Sequence, residues 1–177
     1  MPNLGQINMS FNPLEDRLLL RMTSGTPEGV LEYRVWLTRR FVRLLWDALK
    51  QTLEAETAAD PRLEPTGRTA IQEFEEMDAL SKADFSTPYK PKVEETPLGQ
   101  EPFLASRLQI RKTPEGGKIM SLLDQEGRGV TLGLNTGMIH AVRKLLVDAV
   151  QKAQWDLAIS LFSRTELTAA HMPHTIQ

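Results

Sequence analysis

A strand that runs directly into an amphipathic helix occurs twice in this chain, at an offset of 101 residues. At that offset residues 6–52 align without a gap on residues 107–153. The alternating apolar positions of the strands coincide, and so do the helix positions spaced three to four residues apart. A duplicated supersecondary unit leaves such a pattern. The alternative is that any two strand-then-helix segments align this well when one is slid along the other.

Three strands and one helix are predicted in each copy. Alternation of apolar and polar residues predicts strands at 6–11, 17–23 and 30–37, then at 103–112, 118–123 and 130–134. Thr38 can cap the first helix through its hydroxyl, and the second helix is predicted to continue to about Arg164. The fold class is therefore expected to be α+β, with two similar βββα units from an internal duplication and antiparallel sheets with helices packed on one face. Three pairs are expected to occupy equivalent buried sites: Leu18 and Ile119, Leu31 and Leu132, Leu45 and Leu146.

The segment between the two units has a different composition. Residues 57–102 contain six prolines, and residues 56–102 carry a net charge of −6, whereas the segments before and after are mildly basic. One short helix over about 69–83 fits between the prolines, with a thin apolar stripe that includes Phe74 and Met77. The expected organisation is a first unit at 1–56, an acidic connector at 57–102, a second unit at 103–164 and a loose tail at 165–177. An extended linker at 84–102 should be open to proteases.

Catalytic and cofactor signatures are not found in the sequence. Without cysteines there are no disulfides, thiolate nucleophiles or cysteine-ligated metals. His171 and His174 have no further ligand nearby, and His140 is expected at the surface of a helix. We therefore expect a protein that is not an enzyme, with no catalytic residues, no metal and no cofactor. No apolar run approaches the length of a membrane span, and no signal peptide is visible, so a cytoplasmic protein without a membrane partner is expected.

Basic residues recur on the strand positions that point away from the predicted helices. The first unit contributes Arg17, Arg21 and Arg34 with Trp36 beside them, and the second contributes Arg107, Arg111 and Lys118. Cations that track phosphates and a flat ring that stacks on a base suit a single-stranded nucleic acid. The alternative is an ordinary solvated sheet face. Leu19, Met120 and Leu122 were expected on the same face, where they would suit a protein partner equally well.

Two copies of an antiparallel sheet followed by a helix resemble the Whirly and PUR-repeat nucleic-acid-binding fold, over residues 6–53 and 107–162. The resemblance is one of architecture, and those units have four strands where three are predicted here. It implies paired units that present their sheets to single strands. The leading expectation is thus non-catalytic binding of single-stranded DNA or RNA. The alternative is a protein–protein adaptor or assembly module without nucleic-acid binding, and a homo-oligomer is left open.

Overall fold

The first sheet is built from strands whose apolar residues alternate as a half-buried strand requires. The computed structural model describes residues 3–59 and 61–161. Strands β1 (Asn3–Asn12), β2 (Arg17–Thr26) and β3 (Gly29–Leu37) form an antiparallel meander, and the two-residue β4 (Phe103–Leu104) joins β3 in parallel. The turn between β1 and β2 is held by Asn12, whose side-chain oxygen accepts the amides of Leu14 and Glu15.

The second sheet is a smaller antiparallel meander. It comprises β5 (Arg107–Lys112), β6 (Lys118–Leu123) and β7 (Gly129–Leu134) in that order. The Thr113–Gly117 loop closes the first hairpin, and Gly116 adopts a positive φ of 84° there, which glycine tolerates without strain. The single strand predicted over 103–112 is wrong, because the chain leaves the first sheet at Leu104 and enters the second at Arg107.

The described residues form three helices: α1 (Arg39–Ala58), α2 (Pro65–Lys82) and α3 (Thr136–Ala153). Helices α1 and α3 pack against the sheets, whereas α2 packs against the other two helices. The Thr38 hydroxyl accepts the Phe41 amide at 3.2 Å, so the predicted cap of α1 is confirmed. Helix α3 lies against β1 of the first sheet, and α1 contacts β5 of the second, so each helix reaches the sheet of the other unit. One apolar core joins both sheets to α1 and α3.

The order of three strands and a helix occurs twice, and the predicted α+β class is confirmed. Internal duplication stays a prediction. Leu31 and Leu132 both lie on inward-facing strand positions, and Leu45 and Leu146 are both fully buried. Leu18 and Ile119 are not equivalent: Leu18 is buried against the helices, whereas Ile119 lies beside Arg111 on the outer face.

A difference of one residue in the hairpin loops explains that mismatch. The β1–β2 ladder closes on Asn12 and Arg17, around four loop residues, whereas the β5–β6 ladder closes on Lys112 and Lys118, around five. A shift of one residue turns every side chain of a strand to the opposite face. At the constant offset, β6 therefore faces the other way from β2, and the prediction of a uniform repeat is wrong along this strand.

Helix α3 ends earlier than the sequence predicted. It stops at Ala153, and Gln154 follows in the left-handed conformation that commonly terminates helices. The extended stretch beyond it is anchored by Trp155, whose ring Nε1 donates to Asp16 Oδ1 at 2.9 Å and whose ring packs edge-on against Phe11. Arg39 also hydrogen-bonds Asp16 and lowers the pKa of that carboxyl. The loose tail expected at 165–177, with His171 and His174, lies outside the described residues.

Candidate nucleic-acid interface

The outer face of the second sheet is the open part of the predicted basic surface. Arg107 and Arg111 project from β5 with Gln109 between them, and both arginines are exposed. Across the ladder their neighbours are Leu123 and Ile119, with Ser121 opposite Gln109. Among residues 3–59 and 61–161, neither arginine forms an ion pair or a side-chain hydrogen bond. Their charges are therefore available to a ligand.

Lys118 does not belong to that face. It stands opposite Lys112 on the inner side of the sheet, the side on which Met120 and Leu122 are buried. Its ammonium pairs with Glu56 of α1, which also accepts a hydrogen bond from Thr136. The five-residue hairpin loop is again the cause. The predicted outer-face positions of Lys118, Met120 and Leu122 are therefore wrong.

The first sheet places Arg17, Arg21, Arg34 and Trp36 together on its outer face. Cross-strand pairing sets Leu19 beside Trp36 and Arg21 beside Arg34. Leu104 of β4 continues the row of Leu19 and Trp36 and is 39% exposed. The end of this face near Arg17 and Trp36 thus offers one cation and one half-buried ring, although Arg17 lies 3.4 Å from the Glu15 carboxylate.

Two of those arginines are already occupied. The Arg34 Nε donates to Glu32 Oε2 at 2.6 Å and its terminal nitrogen donates to the Gln100 carbonyl at 3.0 Å. Arg21 donates to Asn8 at 2.9 Å, and its guanidinium lies 4.5 Å from the centre of the Tyr89 ring. The four predicted residues share a face, but only two of them are open to a ligand.

Residues 89–104 of the connector form a strap along the exposed edge of β3. The backbone of Glu94 and Glu95 bonds to Val30 and Glu32 at 2.9 Å, and β4 continues the pairing. Tyr89 reaches over the outer face, where its hydroxyl donates to Glu32 Oε1 at 2.8 Å and leaves Glu32 only 3% exposed. Burial, and then the bond to Glu32, raise the pKa of Tyr89. The extended linker predicted at 84–102 is therefore attached to the first sheet at Tyr89, Glu94, Glu95 and Gln100, although most of its residues are exposed.

A buried polar cluster lies where α1, α2 and α3 meet, and the sequence reading missed it. Glu76, His140 and Arg143 are at most 1% exposed. The Arg143 guanidinium lies 3.3 Å from Glu76 and 4.6 Å from the centre of the Trp46 ring. His140 Nδ1 is 3.9 Å from Glu76, and neither ring nitrogen hydrogen-bonds to another described residue. The predicted surface position of His140 is wrong.

The electrostatics of this cluster suit a structural role. Burial, followed by the neighbouring Arg143 charge, lowers the pKa of His140 to about 4, so the ring is neutral at physiological pH. Beside it Gln72 donates to Thr57 at 2.9 Å. The cluster is closed to solvent and has no room for a substrate. It fixes α2 against the other two helices through polar contacts, because the side of α2 that faces inward carries Gln72 and Glu76.

Two large apolar residues of helix α2 are consequently exposed, whereas Leu80 packs against the core. Phe74 is 71% exposed and Met77 is 64% exposed. The prediction that Phe74 and Met77 belong to the buried side of α2 is therefore wrong. The clue in the sequence was that Gln72, Glu76 and Leu80 also lie at helical spacing, although nothing in that pattern shows which side has charged partners.

Metal and membrane signatures are not found in the described part of the chain. Residues 3–59 and 61–161 contain no group of three or more His, Asp or Glu side chains arranged to hold a metal ion. No helix among them has the length and apolar character needed to cross a membrane.

Comparison with known proteins gives no relative. No protein-family model, curated protein or solved structure matches the chain significantly. The resemblance to the Whirly and PUR-repeat fold therefore stays a prediction.

Proposed function

We propose that this protein is a non-catalytic, cytoplasmic binding protein for single-stranded nucleic acid. The observation that supports the proposal is the outer face of the second sheet, where Arg107 and Arg111 are exposed and unpaired among the described residues. Phosphates bind to such cations with release of counterions. Arg17 and Trp36 of the first sheet add a second patch in which a ring could stack on a base.

A salt titration with a labelled single-stranded oligonucleotide tests the proposal. Log affinity is expected to fall linearly with log salt, at about −0.7 per neutralised phosphate. Replacing Arg107 and Arg111 together by Ala removes two such contacts, so the slope should flatten by about 1.4. Fluorescence anisotropy between about 50 and 200 mM salt measures this change.

A matched double variant controls for net charge. Arg40→Ala with Arg43→Ala removes the same two charges from an exposed part of α1, away from both sheets. It should leave the slope nearly unchanged. An equal loss in both double variants would place the ligand elsewhere, and absence of binding at low salt would end the nucleic-acid proposal.

Stacking is separable from phosphate binding. Trp36→Ala should weaken oligonucleotide binding by about 1–3 kcal/mol at every salt concentration while the salt slope is retained, because stacking is not ionic. Arg21→Ala is expected to change the slope less than Arg107→Ala does, since Arg21 already contacts Asn8 and Tyr89.

An adaptor function is the second candidate, and the exposed side of α2 favours it. Phe74 and Met77 lie three positions apart and therefore project in similar directions from the helix. Replacing both by Ser should leave stability within about 0.5 kcal/mol of the unchanged protein, because the residues are exposed. If this variant loses a protein partner in pull-downs while oligonucleotide binding is absent from the unchanged protein, the adaptor function is the correct one.

A further inference from the structure

A long groove runs beside the edge strand β1, between that strand and the nearby surfaces of α2 and α3. It encloses about 920 Å³ between β1, the length of α3 and the C-terminal half of α2. That volume is at the upper end of the range for sites that hold a ligand. The exposed arginines of the second sheet do not contribute to its walls, and of the strap on β3 Tyr89 lines the groove.

One wall of the groove is an unpaired sheet edge. Strand β1 is the outermost strand of the first sheet and pairs only with β2. Every residue from Leu4 to Met9 lines the groove, so the strand presents its edge there and not one face alone. Among the described residues, the backbone of this stretch bonds to no other strand. Such an edge offers a row of amides and carbonyls that another extended chain can pair with.

The opposite wall is long enough for a strand of ordinary length. Lining residues of α3 run from Thr136 to Lys152, a distance of about 24 Å at 1.5 Å per residue. The six lining residues of β1 span about 20 Å, which matches a strand of five to six residues. Met138 and Leu145 supply apolar surface on the helix side, with Ala141 between them leaving space.

The charge of the groove favours a basic occupant. Its walls carry four carboxylates, from Glu75, Asp78, Asp84 and Asp148, against two ammonium groups, from Lys82 and Lys152. Asp78 pairs with Lys82, and Asp148 pairs with Lys144 just outside the lining, so with Lys144 the walls carry a net charge of −1. Glu75 and Asp84 form no ion pair with another described residue, and their charges repel a phosphate backbone and attract lysine or arginine side chains. The groove and the basic face of the second sheet are therefore suited to ligands of opposite charge.

We propose that the groove binds an extended basic peptide, which adds to the free edge of β1 as a further strand. Main-chain hydrogen bonds to β1 supply affinity, as in other strand-addition complexes. Alternate apolar side chains of the peptide contact Met138 and Leu145, and its basic residues lie beside Glu75 and Asp84. This site is separate from the proposed nucleic-acid interface.

Selection of random nine-residue peptides displayed on phage, followed by fluorescence polarisation with the best synthetic peptide, tests the proposal. The peptide should be basic, and Ala141→Trp, which fills the groove, should weaken binding at least tenfold. Ala55→Trp places the same ring on an exposed part of α1 outside the groove and should leave binding unchanged. Glu75→Gln should weaken binding at low salt and reduce its salt dependence, because Glu75 forms no ion pair with another described residue.

Backbone methylation of the peptide distinguishes strand addition from other modes without altering the protein. Only alternate amides of an added strand face β1. Methylation at one alternate set of nitrogens should weaken binding at least tenfold, and methylation at the intervening set by less than twofold. Equal effects of the two sets, or retention of binding in Ala141→Trp, would overturn the proposal.

Other occupants of the groove give different results. Recovery of no peptide above background overturns the inference, as does a concentration-dependent dimer that Ala141→Trp abolishes, since a second copy of the chain would then fill the groove. Displacement of the peptide by a single-stranded oligonucleotide also overturns it. Failure of oligonucleotide binding alone leaves the peptide site supported, because no residue is shared between the two surfaces.

Discussion

A single residue that the sequence pattern placed at the surface, His140, belongs to the most deeply buried polar cluster of the described residues. His140 and Arg143 lie on α3 among apolar neighbours, and Glu76 comes from α2, 67 positions before Arg143. Helical spacing can place a polar residue on a given side of its own helix. It cannot show that a charged partner on another helix will make burial tolerable. That partner is the information the sequence reading lacked.

The buried imidazole predicts a pH-dependent stability. The pKa of His140 is about 4 when folded and about 6.5 when unfolded, so the unfolded chain binds a proton more readily. The free energy of unfolding should therefore be constant above about pH 6.5 and fall as the pH decreases toward 4. His140→Gln removes the titrating group and should make this fall shallower in urea titrations at several pH values. An unchanged pH profile would show that the pKa of His140 does not differ between the folded and the unfolded protein.

Removing one partner of the Glu32 pair should destabilise the fold. Arg34→Ala leaves a carboxylate that is 3% exposed with the Tyr89 hydroxyl as its remaining side-chain partner among the described residues. Leaving a buried acceptor under-satisfied costs about 1–3 kcal/mol. Chemical denaturation should show a loss of that size, and Glu32→Gln in the same background should recover part of it by removing the buried charge. Arg107→Ala is the control and should change stability by less than about 0.5 kcal/mol.

At the scale of elements, the strap shows where local composition misleads. Prolines and an excess of acidic residues predicted an open linker, yet three backbone features hold it: the bonds of Glu94 and Glu95, and β4. Pairing of a second chain to a strand edge needs no regular sequence pattern, only free amides and carbonyls. Short edge strands of this kind therefore escape periodicity analysis.

Protease sensitivity should be confined to the start of the connector. Phe85 is 43% exposed in a stretch without regular structure, so thermolysin should cut first before Phe85. Cleavage before the half-buried Phe103 should be slow, because β4 pairs with β3 there. Tyr89→Ala, which removes the contact to Glu32, should accelerate cleavage before Val93. Mass spectrometry of the early fragments measures the order of cuts, and equally fast cutting at all three sites would mean that the strap is not held in solution.

At the scale of the whole molecule, the order of strands and helices could be predicted from the sequence. The contacts that each helix makes with the sheet of the other unit could not. Period-2 and period-3.6 patterns identified six of the seven strands and all three helices. The contacts of α3 with β1 and of α1 with β5 join segments that are far apart in the sequence, and a local pattern does not specify such contacts. The face on which Lys118 lies depended on a single residue of loop length between β5 and β6.

Because α3 contacts β1, α1 contacts β5 and both units share one apolar core, the two halves should not fold independently. A chain cut into residues 1–60 and 61–177 leaves β1 without α3 and β5 without α1. Each fragment alone should show weak, non-cooperative unfolding by circular dichroism. Mixing the two should restore a cooperative transition. Two independently stable fragments would show that the shared core contributes little.

The short segment between β4 and β5 connects the outer face of the first sheet, which the strap partly covers, to the exposed outer face of the second sheet. Only Ala105 and Ser106 separate the last residue of the strap from Arg107, and the Ala105 amide still bonds to Trp36. Thermodynamic reciprocity then applies. A ligand that binds Arg107 more tightly in one position of the strap shifts the strap toward that position, and the free energy of the shift equals the difference in binding free energy between the two positions. In that case Tyr89→Ala, which removes a contact between the strap and the first sheet, would change the affinity of a ligand bound at Arg107 of the second sheet.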